Sequence, residues 1–260
     1  MQPEERQKRI EDYLQKVEFA SLEELAEQVE ASVSTVRRDL GVLETSGNIR
    51  RTHGGARLVN PRTDEFVFNA RDTHQLPEKE AIGRLCAELI LPGQTVIIDA
   101  GTTVYHVARY LEPKKPQIIT NSLPVANQFS SATLVETIVT GGVLYPRLGV
   151  LVGPLAVETL SHMHADVAVM GAGGITSEGV FNSHALLIEI QRAMMRAAQK
   201  VIFCLDHTKL GRRTVARLCG LDEVGVLVTD ADADREVITS FRDAGVEVHQ
   251  PVREAAAVAP

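Results

Sequence analysis

Two groups of residues could do chemistry, and they lie in different halves of the chain. The first is a set of arginines, Arg37, Arg38, Arg50, Arg51 and Arg57, interleaved with Ser34, Thr35 and His53. Guanidinium forks pair bidentately with guanine O6 and N7 and with phosphate oxygens, so this set suits duplex DNA. The second is a series of five segments built from glycine, hydroxyl and small polar side chains. They are Asp99-Ala100-Gly101-Thr102-Thr103, Thr120-Asn121-Ser122, Gly141-Gly142, Gly171-Ala172-Gly173-Gly174 and Asp206-His207-Thr208-Lys209. Glycine lets a ligand approach the backbone, while hydroxyls and N–H groups hold an anion; Lys209 could close over a phosphate as a point charge. Any one of these segments is ordinary loop chemistry. All five at one sheet edge would make a site for a phosphorylated small molecule.

The arginines need a helix and a hairpin to present them. Val33, Val36, Leu40 and Leu43 recur in steps of three, four and three, one face of a helix. Ser32 is placed to cap its start and Gly47 to end it in a left-handed turn. At about 100° per residue, Ser34, Thr35, Arg38 and Gly41 point away from that face, with Arg37 on its shoulder. Ile49 to Arg57, around Gly54-Gly55, reads as strand, turn and strand. Upstream, Ile10, Tyr13, Leu14 and Val17 form one apolar stripe and Leu22, Leu25, Ala26 and Val29 another. The second opens on the capping box Ser21-x-x-Glu24. Three short helices ending in a basic hairpin describe a winged helix-turn-helix over residues 1–57.

The same run resembles the N-terminal domain of DeoR-type transcriptional regulators. The resemblance is carried by Arg6 to Ile10, Leu22 to Ala26, Ser32, Thr35 to Leu40, Gly47 and Arg51 to Ala56. It implies operator binding, with Ser34, Thr35 and Arg38 toward bases and Arg37, Arg50, Arg51 and Arg57 toward phosphate. His53 sits in the wing beside Gly54-Gly55, where a small turn could bring it to DNA.

The net charge of −7 argues against a DNA binder until it is divided. Residues 1–30 carry four basic against nine acidic side chains, whereas residues 31–60 carry five arginines against two acids. Positive charge is thus focused on helix and wing, and an acidic body repels DNA from the other faces. At 260 residues the chain is long enough for two domains. No stretch nears the roughly 18 apolar residues of a membrane span, and the N-terminus lacks a signal-peptide apolar core. Cys86, Cys204 and Cys219 have no metal-ligand spacing and read as buried thiols in a reducing compartment. His162 and His164 lack companions for zinc. His106 and His184 have two readings, pocket lining or satisfied structural histidine. Neither cofactor nor metal is expected.

Residues 58–76 contain Pro61, mixed charges and no helical period, which reads as a linker; alternation of Phe66, Val67 and Phe68 leaves room for a short strand. From residue 77 the texture is helix alternating with short apolar strands. The strand candidates are Thr95 to Ile98, Gln117 to Thr120, Glu136 to Thr140, Val167 to Gly171, Val201 to Leu205, Val224 to Thr229 and Val246 to His249. That is an α/β domain with a mostly parallel sheet over 77–250, and the tail 251–260 is expected to fray.

This half resembles the sensor domain of DeoR-type regulators, which is similar in fold to ribose-phosphate isomerase. The matching residues are Asp99-x-Gly101-Thr102-Thr103, Thr120-Asn121-Ser122, Thr140-Gly141-Gly142, Gly149, Gly153-Pro154, Arg192-Ala193-Met194 and Asp206-x-Thr208-Lys209. The resemblance implies a sugar phosphate or related effector held by Gly101, Thr102, Thr103 and Lys209. Asp99 and Asn121 would meet sugar hydroxyls or order the loop. Two positions depart from the pattern: Gly173 stands where many relatives have aspartate, and Gln191 where lysine is frequent. The alternative, a sugar-phosphate isomerase with an accessory DNA-binding domain, needs an acid/base carboxylate beside the substrate. Glu189, the nearby candidate, reads as an exposed helical glutamate. The expected protein is therefore a homo-oligomeric repressor of sugar-metabolism genes. It would act in the bacterial cytoplasm, at the nucleoid, on double-stranded operator DNA.

Overall fold

The computed structural model describes residues 2–17, 19–45, 49–52, 54–58 and 68–251. They form two compact units, Met1–His74 and Gln75–Pro260. His53, Gly47, Pro61, Phe66, Val67, the tail 252–260 and the side chain of Arg50 lie outside the described residues.

The first unit contains α1 (Pro3–Val17), β1 (Phe19–Ser21), α2 (Leu22–Gln28), α3 (Val33–Thr45), β2 (Ile49–Thr52), β3 (Gly55–Leu58) and a short α4 (Phe68–Asp72). The three apolar stripes meet in one core of Ile10, Leu14, Leu25, Val29, Val36, Leu40 and Leu43, with Ala20, Ile49 and Ala56 from the sheet. Val17, read as part of the stripe, is exposed, and Val33 is half-buried. The hairpin expected from Gly54-Gly55 pairs Thr52 with Gly55 and Arg50 with Arg57. A third strand, β1, joins it along β3 in the order β1-β3-β2. Here the two glycines have separate reasons. Gly54 adopts φ +106°, a turn that L side chains resist, and any Cβ on Gly55 would lie 2.2 Å from the Ala20 carbonyl oxygen. Phe68, read as a candidate for extended chain, instead opens α4.

The second unit is built on a seven-stranded sheet. Its strands are β4 (Thr95–Ile98), β5 (Gln117–Thr120), β6 (Thr137–Val139), β9 (Ala165–Met170), β12 (Ala198–Cys204), β14 (Val226–Val228) and β15 (Glu247–His249). Their spatial order is β15-β14-β12-β9-β4-β5-β6, and every neighbouring pair is parallel. Alternate residues feed two cores. Val96, Ile98, Val167, Val169, Ile202 and Cys204 meet α5 (Leu76–Glu88), α6 (Thr102–Ala108) and α7 (Leu123–Gln128) on one face. Ile97, Ala168, Met170 and Phe203 meet α8 (Pro154–Ser161), α9 (Ile188–Arg196) and α10 (Arg235–Asp243) on the other. Burial on both faces is why these strands read as continuous apolar runs rather than as alternation.

Two smaller sheets complete the unit. One is a hairpin of β7 (Val143–Tyr145) and β8 (Val150–Val152); the other is antiparallel, β10 (Gly174–Thr176), β11 (Gly179–Asn182) and β13 (Ala216–Cys219). The chain runs outward from β4 to β5 and β6, then returns to lay β9 on the opposite side of β4. The strand order therefore reverses between β4 and β9, the kind of point at which open α/β sheets bind ligands beyond the carboxyl ends of their strands.

Candidate DNA-reading face and effector crevice

On α3, Ser34, Arg37 and Arg38 are exposed and Thr35 is half-buried, the outward face that the spacing implies. The Ser32 hydroxyl accepts the Thr35 N–H at 3.2 Å as the cap, and it also shares hydrogen bonds of 2.8 Å with the hydroxyls of Ser34 and Thr35. These two candidate base readers are thus ordered before DNA arrives. Arg51 is exposed on β2, and its backbone N–H donates to Glu44 Oε1 at 3.0 Å, tying the wing to the last turn of α3.

Another residue of α3 is held in a way the helical spacing does not reveal. Asp39 is buried and accepts from Arg6 on α1, Nε to Oδ2 at 2.5 Å and a second guanidinium nitrogen to Oδ1 at 3.1 Å. Gln7 adds a bond of 3.3 Å. The Asp39 carboxylate raises the Arg6 pKa further above its ordinary value, chiefly through the hydrogen bonds. A bidentate pair that is mostly out of water fixes direction as well as distance, so α1 sets the rotation of α3 and the aim of Arg38.

In the second unit, all strands of the main sheet run the same way. Their following loops, including all five glycine and hydroxyl segments, therefore line one edge. Asp99 and Gly171 flank the strand-order reversal. The buried Asp99 carboxylate accepts Ala100 N at 2.7 Å, Gly171 N at 3.1 Å and Gln191 Nε2 at 2.6 Å. Gln191 also donates to the Gly171 carbonyl at 3.1 Å and accepts from Asn182 Nδ2 at 2.9 Å. Asp99 orders the loops on both sides of that reversal. Gln191, one of the two departures from the family pattern, is the centre of that network.

Segments along the edge differ in what they leave available. Ser122 caps α7 by accepting Val125 N, and Asp206 caps the following turn by accepting Thr208 N. Gly101, at the cap of α6, supplies no side chain and no side-chain cap hydrogen bond. Asn121 donates to the Leu151 carbonyl at 3.0 Å, while its buried Oδ1 has no partner among the described residues. Gly142 (φ +116°) approaches Val152 so closely that a Cβ would lie 2.6 Å from its carbonyl oxygen, and Gly174 packs similarly on Arg212. Gly141 and Gly173 are half-buried in the same loops, and Lys209 is half-buried beside Asp206. The β7–β8 hairpin packs Leu148, Val150 and Val152 with Leu187, Tyr145 and Ala100, so it lies against the Asp99–Thr103 loop.

His106 is buried with Nδ1 3.3 Å from Arg109, and the His184 ring meets Tyr145 edge-on. His162, His164 and Glu189 are exposed. Among the described residues, His207, Asp230 and Asp232 form the one group with three possible metal ligands. The Asp230 carboxylate is already occupied there by the His207 and Asp232 N–H groups at 2.7 and 2.9 Å. All three cysteines are buried and unpaired to disulfide; burial raises the Cys219 thiol to about 12.

A winged helix with an arginine face, together with an α/β domain whose parallel sheet reverses its strand order, suits a DNA-binding regulator with its own sensor. The DeoR-like helix-turn-helix domain matches residues 6–62, and the DeoR C terminal sensor domain matches residues 74–231. The chain is 32% identical over 250 residues to the HTH-type transcriptional regulator GolR of Listeria innocua, covering 95% of this chain and 98% of that protein. It is 35% identical to the HTH-type transcriptional repressor GlcR of Bacillus subtilis, covering 88% and 89%. The L-fucose operon activator of Escherichia coli is 30% identical, covering 91% and 97%. The chain belongs to the DeoR family and is a transcriptional regulator, not an enzyme. Ribose 5-phosphate isomerase A of Methanocaldococcus jannaschii aligns with 51% of the chain at TM-score 0.38 and 13% identity, a likeness too loose to argue from.

Proposed function

We propose that the protein is a homo-oligomeric repressor of carbohydrate-metabolism genes, released from or fixed on its operator by a phosphorylated sugar. The carrying observation is the set of glycine and hydroxyl loops that the parallel sheet places along one edge, around the strand-order reversal. Gly101 with the Thr102 and Thr103 hydroxyls would cradle the anion, with Lys209 two strands away to close over a phosphate. Asn121 Oδ1, a buried acceptor without a protein donor, supports a sugar hydroxyl at the same edge. Ser122, Gly141, Gly142, Gly171, Gly173 and Gly174 shape the floor. On DNA, Ser34, Thr35 and Arg38 read bases while Arg37, Arg50, Arg51, His53 and Arg57 hold the backbone. A relative named as the L-fucose operon activator supports the gene class, and one named as a transcriptional repressor supports repression. No helix among the described residues is long and apolar enough to cross a membrane, and action in the cytoplasm at the nucleoid follows from the DNA reading.

The test is thermal stabilisation of the full chain by pentose and hexose phosphates, against inorganic phosphate and the parent sugars. One sugar phosphate should raise the midpoint, and Lys209→Ala should abolish that rise while leaving operator affinity unchanged. Equal stabilisation of Lys209→Ala means the phosphate is held elsewhere.

A further inference from the structure

Two neighbouring residues of α3, Gly41 and Val42, are not accounted for by the helix or by its packing. The apolar residues Val36, Leu40 and Leu43 are buried, but Val42 is 55% exposed. At about 100° per residue, Val42 falls between Arg38 and Thr35, on the outward face rather than the buried one. Gly41 lies on the other side of Arg38, toward Ser34.

Neither residue favours the helix in its own right. Glycine is the poorest helix former after proline, and a β-branched valine loses side-chain freedom there. At outward positions, where packing does not decide, alanine, glutamate or lysine would hold the helix better. The fold does not ask for Gly41 either: a Cβ there would meet no heavy atom within 4 Å among the described residues. Gly83, in the middle of α5, is the contrast. A Cβ on Gly83 would lie 2.7 Å from the His106 carbonyl oxygen of α6, so a neighbouring helix requires that glycine.

We propose that Gly41 and Val42 form an apolar reading position for thymine beside the polar readers of α3. Gly41 would let the duplex come close to the helix backbone, and Val42 would pack on the thymine 5-methyl group. Among the groups that bases present in the major groove, that methyl is the one that gains from an apolar side chain; the donors and acceptors would be left unpaired against it. Val42 lies one turn beyond Arg38, about 6 Å along the axis. Successive bases are spaced by about 3.4 Å. The thymine should therefore stand about two base pairs from the guanine met by Arg38. The proposal rests on α3 as the base-reading helix of the proposed function and adds a specificity residue to it.

Selection from a random duplex pool by the full chain tests it. The native chain should enrich a guanine and, about two base pairs away, a thymine. Val42→Ala should keep the guanine and lose the thymine, and Arg38→Ala should do the reverse. Replacing that thymine by deoxyuridine removes the methyl group alone. It should weaken native binding about fourfold, the worth of one buried methyl group, and leave Val42→Ala unaffected. Gly41→Ala should raise the thermal midpoint, since alanine favours helix, yet weaken binding to the selected duplex. Identical selection by the native chain and Val42→Ala, or no extra cost of deoxyuridine to the native chain, overturns the Val42 contact; a guanine lost by Arg38→Ala would still keep α3 as the reader. Unchanged binding by Gly41→Ala overturns the close approach. No enrichment by the native chain, or unchanged selection by both Arg38→Ala and Val42→Ala, overturns α3 as the reader and this position with it.

Discussion

Arg38 and Arg51 are both exposed arginines of the DNA-binding unit, yet they stand on different elements and should fail differently when removed. Arg38 projects from the outer face of α3, so Arg38→Ala should cost about 1–3 kcal/mol at the operator and relax sequence preference. Arg51 stands on the wing, and Arg51→Ala should weaken operator and random duplex alike, reducing the salt slope by about one contact. Anisotropy titrations on both duplexes at two salt concentrations separate these outcomes; equal loss of specificity would contradict the assignment. Asp39 is a third case. It cannot reach DNA, but Asp39→Ala removes the tether to Arg6 and Gln7. That variant should lower the unfolding midpoint and weaken operator binding together, whereas Arg38→Ala should leave the midpoint where it is. The outward arginines were legible from helical spacing alone. The Arg6–Asp39 pair was not, because its partners are 33 residues apart and a charged residue on an apolar shoulder reads as solvated. Gln191 and Asp99, 92 residues apart, were hidden for the same reason.

At the scale of elements, the signals that worked were periodic and local. The three helices of the winged unit, its hairpin, and the seven strands of the main sheet all followed from stripes, caps and apolar runs. Short elements held by distant partners did not. β1 has three residues with one buried, and β7–β8 has exposed apolar side chains where alternation would place polar ones. Gly55 shows what β1 demands: Gly55→Ala should push β3 from Ala20 and destabilise the winged unit by about 1–3 kcal/mol, the usual cost of overpacking. Amide exchange in β1 and β3 of the full chain would register it, and unchanged protection would refute the close approach. The capping box of α2 makes a pH prediction. Hydrogen bonds from the Ser21 N–H and hydroxyl hold the Glu24 carboxyl below the usual glutamate range. Its stabilisation is therefore full above that range and is lost as pH falls through the depressed value. Protection of α2 amides should fall on acidification more steeply in the native chain than in Glu24→Gln, whose bonds do not titrate. Parallel pH profiles would remove Glu24 from the account.

For the molecule as a whole, the division of labour follows the division of charge and of folds. Net positive charge is confined to the stretch of helix and wing, and the larger, net acidic unit carries a parallel sheet whose strand order reverses between β4 and β9. The residue types around that reversal were legible as a list of loops. Their arrangement needed the strand order, which no local signal encodes: β9 beside β4 is what brings Gly171 to Asp99. The central claim is that metabolite binding in the crevice changes operator binding by the winged unit. Its most direct test is fluorescence anisotropy on labelled DNA from upstream of the protein's own gene, titrated with the full chain with and without sugar phosphates. The account predicts binding well above a random duplex and a shift in affinity caused by a sugar phosphate but not by inorganic phosphate. Specific binding that stays unchanged across pentose and hexose phosphates would contradict it.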